Sequence, residues 1–157
     1  MAARAELLHC ASHIASLVFE PCTGFEQWRQ DAAPREQAYA NYLAGQLLPG
    51  NAALLPPPQQ AALAGGDAAL AGIADPLSRL VAAGVAFQAG RAGAQTAQVA
   101  VDTASSQGWR RPLLAWLGVQ LALAEKSGDA DGAGRVKRRI DLAQGTVRAA
   151  PALSLKP

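Results

Sequence analysis

Two stretches of this chain carry the same punctuation, and that constrains the fold more than any other feature. Pro76-Leu77-x-x-Leu80-Val81 corresponds to Pro112-Leu113-x-x-Trp116-Leu117 at an offset of 36 residues. Gly90 corresponds to Gly128 at an offset of 38, and Gly108 to Gly145 at 37. Proline fits the first turn of a helix, where its missing N–H has no partner to lose. Glycine takes the left-handed conformation that closes a helix. Each unit therefore reads as proline, helix, glycine turn, helix, glycine. Such units cannot bury an apolar face alone, so they stack on one another. The expected fold class is all-α, with antiparallel helical hairpins stacked into a small bundle or a short repeat array.

Composition points the same way. Hydrophobic residues make up 50% of the 157, yet aromatics are only 5%. Much of the remainder is alanine, which loses no side-chain entropy on entering a helix. Val, Ile, Thr, Tyr and Phe never alternate with the period of a strand. The length suits one domain with its own core, expected over 1–145. Within it, 1–48 reads as N-terminal helices, at 3–19, 25–30 and 34–48. Leu7, Ala11, Ile14 and Val18 form the apolar stripe of the first, which Pro21 ends. Residues 49–58, with Pro56, Pro57 and Pro58, read as an extended Pro-rich linker. Residues 59–74 read as short helices broken at Gly65–Gly66, 76–145 as the two hairpins, and 146–157 as a flexible tail.

Charge and cysteine usage bound the compartment. Charged residues are 17%, against about 25% in an average soluble domain. Residues 1–109 carry 5 basic and 8 acidic side chains, and residues 110–157 carry 9 and 4. The net charge of +2 thus hides a basic C-terminal part. No run reaches the ~20 apolar residues needed to cross a bilayer, so the chain is not expected to span one. Glu6, His9 and His13 interrupt the apolar stretch a signal peptide would need. A periplasmic or envelope-associated location is the lean if a signal has been removed, and a cytoplasmic one otherwise. Cys10 and Cys22 permit one disulfide. A continuous first helix would hold them about 14 Å apart, too far for a bridge, unless the chain turns back sharply at Pro21.

A family resemblance enters at the second hairpin. Trp116-Leu117-Gly118, followed by Gly128-Asp129 and Ala133, resembles a degenerate tetratricopeptide repeat, over residues 76–145. The offsets exceed that family's period of about 34 residues. The resemblance implies protein–protein binding on a concave face. An alanine-rich bundle of no repeat ancestry stands beside it as the other reading.

Three clusters could carry function. Trp109, Arg110 and Arg111 lie between the hairpins, and a tryptophan beside arginines can anchor an interface. Arg135, Arg138 and Arg139 share one face of the last helix; together with Arg110, Arg111 and Arg148 they could form a basic patch for an acidic partner or nucleic acid. As helix-terminal cations they also complement the dipole. His9 and His13, at i and i+4, could bind one metal from one helical face, with Glu6 and Glu20 in reach. Cys10 stands where the zinc-protease signature has its glutamate and reads as a small core residue. No phosphate-binding loop, dinucleotide fingerprint or nucleophile elbow is present. The expected function is a non-enzymatic protein–protein interaction module: an adaptor, assembly factor or chaperone. It needs no cofactor and takes another protein as partner, with no small-molecule substrate evident. A metal-binding helical protein and a basic nucleic-acid-binding protein are the alternatives.

Overall fold

Residues 1–145 are described by a computed structural model; the expected tail, with Arg148, lies outside them. Eight α-helices follow one another: α1 (Ala2–Ala15), α2 (Thr23–Glu26), α3 (Pro34–Leu43), α4 (Pro57–Leu70), α5 (Pro76–Gln88), α6 (Ala94–Gln107), α7 (Arg110–Lys126) and α8 (Ala130–Gln144). No strand occurs among the described residues. The fold is all-α, and the helices form one packed bundle. Helices α5, α6, α7 and α8 each pack on the next, while α1 lies against α3 and α5 and α4 crosses α5 and α6.

Local chemistry sets the boundaries of the paired hairpins. Asp75 caps α5, its carboxylate accepting from the Ser78 N–H at 2.7 Å, and Pro76 occupies the first turn. Gly108 closes α6 at φ 68°, and Trp109 N–H returns to the Ala104 carbonyl at 3.0 Å. Asp129 caps α8 through the Gly132 N–H at 2.9 Å. Helix α7 begins at Arg110, so Pro112 lies inside its first turn rather than opening it.

The core is continuous from Leu7 on α1 to Leu117 on α7. Small residues let the helices approach closely. At Gly84 on α5 an added Cβ would collide with the Ile14 carbonyl of α1. Trp116 on α7 is fully buried and donates its indole N–H to the Ala15 carbonyl at 3.1 Å. That carbonyl belongs to the last turn of α1, where intrahelical partners run out. Buried Gln59, Thr96 and Thr103 are paired across helices. Tyr42 Oη donates to Gln59 Oε1 at 2.7 Å, and Gln59 Nε2 to the Ser78 carbonyl at 3.3 Å, tying α3, α4 and α5 together. The Arg79 guanidinium donates to the Ile73 carbonyl and to Thr103 Oγ1.

The N-terminal part corrects several expectations. Helix α1 stops at Ala15, not near residue 19, and the chain reverses through Leu17 at φ 60°. The Val18 N–H then bonds the His13 carbonyl at 2.9 Å. This early reversal, ahead of Pro21, removes the separation that argued against a disulfide. Cys10 and Cys22 are bridged, with their Cα atoms 5.8 Å apart. Cys10 is therefore half of a crosslink and not simply a small core residue. The Pro-rich stretch is also structured: Pro49–Leu54 forms a 3₁₀ helix, and Pro57 already opens α4. Only Leu55 and Pro56 are extended, and Leu55 is buried. Helix α4 runs through Gly65 and breaks its helical geometry at Gly66 (φ 57°, ψ −142°). Helix α3 ends at Leu43, short of residue 48.

A candidate interaction groove at the α6–α7 junction

The groove begins with the end of α6. Gly108 turns the backbone left-handed, and Trp109 follows as the residue before α7, at φ −86° and ψ 92°. The turn throws the indole outward, where it stays 36% exposed. Arg110 and Arg111 form the first turn of α7 with no acidic residue beside them, and no side chain caps that helix end. Opposite stand the C-terminal turns of α1, with Ser12, Ala15 and Ser16, and the start of α5, with Asp75, Pro76 and Leu77. Together these walls enclose about 770 Å³. The Trp116 indole N–H, donated to the Ala15 carbonyl, ties α7 to the α1 wall.

The groove is amphipathic. Trp109, Pro76, Leu77 and Pro112 give it apolar sides, and Arg110 and Arg111 make its rim cationic. Arg110 is engaged: its Nη2 donates to the Gln144 carbonyl at 2.6 Å and satisfies the end of α8. Asp75 is engaged as the cap of α5. Arg111 has neither a hydrogen-bond nor an ion-pair partner among the described residues.

The structure separates the residues that the sequence groups as one basic surface. Trp109, Arg110 and Arg111 line the groove just described. Arg135 and Arg139 line a different cleft of about 300 Å³ between α6, α7 and α8, with Gln98, Gln120 and Val136. Arg138 is exposed on α8 and lines neither. Lys137 pairs with Glu125 of α7 at 3.4 Å, an exposed contact of small energetic weight.

His9 and His13 do meet, their ring centroids 4.4 Å apart. His13 Nδ1 lies 3.9 Å from a Glu20 carboxylate oxygen. The Glu6 carboxylate instead packs against Gly24 at the start of α2. Among the described residues no group of three or more His, Cys, Asp or Glu is arranged to hold a metal ion. None of the helices described is long and apolar enough to cross a membrane.

Two further features escape the sequence. A groove of about 580 Å³ runs between Leu7 and Leu8 of α1, Tyr39 of α3 and the Leu54–Pro57 segment. Leu8, off the apolar stripe and 60% exposed, is the only hint of it in the sequence. Burial pushes the Tyr39 hydroxyl up to about 12, with the Asp75 carboxylate adding to the shift. In the Trp109 groove, Ser12, Ser16 and Leu77 were not legible as lining residues, because only the fold brings α1 and α5 to the α6–α7 junction. No known protein family, curated protein or solved structure matches the chain.

Proposed function

We propose that this chain is a non-enzymatic protein–protein interaction module, an adaptor, assembly factor or chaperone, that grips its partner at the α6–α7 junction. One observation carries the reading: Trp109, with Arg110 and Arg111, lines an open amphipathic groove of about 770 Å³. Tryptophan and arginine dominate the energetics of protein interfaces when they are desolvated together in a pocket. The resemblance of residues 76–145 to tetratricopeptide hairpins supports the same role. The Cys10–Cys22 bridge supports work in an oxidising compartment, such as a bacterial envelope, because disulfides persist there and are rare in reducing cytosol.

The test is a pull-down from the native host with quantitative mass spectrometry. Wild type is compared with Trp109→Ala and with Arg138→Ala, a cation outside both clefts. A partner depleted by Trp109→Ala and retained by Arg138→Ala is the expected result. Identical recoveries from wild type and Trp109→Ala would remove the groove from the function.

A further inference from the structure

Ser16 and the first turn of α7 give this groove a defined chemistry. Ser16 is 8% exposed and lines the groove. Its hydroxyl makes no hydrogen bond among the described residues. None of the described side chains seals a polar atom away without a partner. The unpaired hydroxyl therefore opens toward the groove, as a donor awaiting an acceptor. A ligand oxygen that replaces water there finds a donor already in place.

The facing helix end is equally short of acceptors. The first N–H groups of a helix have no intrahelical partner, and at α7 neither an acidic side chain nor a capping side chain supplies one. Its first turn instead carries Arg110 and Arg111, placed where the helix dipole disfavours cations. The start of α5, across the groove, differs, since Asp75 caps it. A local arrangement that works against its own helix marks a functional site when a ligand relieves it. An anion does so here: it accepts from the free backbone N–H groups, the unpaired Arg111 guanidinium and the Ser16 hydroxyl.

We infer that the groove takes an acidic peptide segment, with a carboxylate seated between Arg111, Ser16 and the start of α7 and a neighbouring apolar side chain packed on Trp109 and Leu77. This deepens the interaction reading above and rests on it. The apolar walls argue for a peptide over a small free anion, because Trp109, Pro76, Leu77 and Pro112 offer a surface that an inorganic anion leaves uncovered. Asp75, held on the Ser78 N–H, sets the far limit of the acidic contacts by repelling a second carboxylate on the α5 side.

The probe is a short fluorescein-labelled peptide of alternating Asp and Leu, titrated by fluorescence anisotropy into the full chain. An otherwise identical peptide of Asn and Leu is the control. Arg111→Gln is expected to weaken binding of the Asp peptide by tenfold or more, and Ser16→Ala by about fivefold. Arg138→Gln is expected to leave it unchanged, and circular dichroism checks that each variant is folded. Amide resonances of Arg110 and Arg111 in a ¹⁵N spectrum are expected to shift on titration. Equal affinity for the Asp and Asn peptides, or equal affinity of wild type and Arg111→Gln, overturns the inference. Inorganic phosphate that displaces the peptide at equal concentration also overturns it, in favour of a small-anion site. Absent peptide binding, with Trp109→Ala still losing its partner in the pull-down, overturns the acidic chemistry and leaves the interaction reading standing.

Discussion

Helices α5 and α6 and helices α7 and α8 carry the same prolines and glycines and meet opposite fates. In α5 six consecutive residues, Leu80 to Val85, are buried, and α6 buries another six, among them Thr96 and Thr103. Helix α7 buries only Pro112, Trp116 and Leu117, and α8 only Gly132 and Ala133. The punctuation marks where the helices stop and where α5 starts, because φ and N–H restrictions act locally. Burial is decided by neighbours. The first pair is covered by α1 and α4 as well as by α7, whereas α8 packs chiefly on α7 and presents its other side to solvent. The arginines collect on the pair that has a solvent face to spare.

Four measurements break or sharpen that contrast. Trp116 is the largest side chain the second pair buries, so Trp116→Ala is expected to cost about 3–5 kcal/mol in urea unfolding. Its loss should loosen α1 in hydrogen exchange as much as α7, since the indole holds the Ala15 carbonyl. Reduction of Cys10–Cys22 is expected to lower stability by about 2–4 kcal/mol. Protection should then fall first in α1 and in α5 beneath it, with α8 least affected. A matched glycine pair comes next. Gly84→Ala drives a Cβ into the Ile14 carbonyl and is expected to destabilise by about 1–3 kcal/mol. Gly118→Ala meets nothing within 4 Å and should stabilise by about 0.5–1 kcal/mol through helix propensity alone. Opposite signs in thermal unfolding would sharpen the contrast, and equal signs would break it. The smallest effect is confined to alkaline solution. The folded Tyr39 hydroxyl titrates at about 12, above the ordinary tyrosine value near 10. The folded state thus holds this proton more tightly than the unfolded one, and the stability this gives is full below pH ~10 and fades as pH rises toward ~12. Tyr39→Phe should flatten that decline in a pH series of urea midpoints.

How much of this was legible depends on whether the signal is local. Gly90, Gly108, Gly128 and Gly145 sit at or just past helix ends, all at positive φ, so the hairpins could be read directly. The end of α1 could not. Ser16 and Leu17 include neither glycine nor proline, and the reversal uses Leu17 in a conformation side chains seldom adopt. With that end hidden, the disulfide was hidden too. The three prolines at 56–58 looked like a linker, but proline is as much at home opening a helix, which is its role at Pro57. At the groove, Trp109, Arg110 and Arg111 announced themselves by type and position. Nothing in the sequence marks Ser16, whose value lies in standing opposite a helix that begins many residues later. Of the arginines grouped as one basic surface, Arg110 and Arg111 line one cleft and Arg135 and Arg139 another, beside Gln98 and Gln120, while Arg138 lines neither. Gly118, which helps carry the tetratricopeptide resemblance, stands beside open space.

The hydrogen bond from Trp116 to Ala15 spans 101 residues of sequence. During synthesis the first helix can dock on α3 and α5 before its indole partner leaves the ribosome, but the Ala15 carbonyl must wait for α7. The crosslink from Cys10 to Cys22 closes a loop of only 12 residues. Formed early, it would keep the waiting end compact, and a nascent chain denied an oxidant would be the one most prone to aggregate.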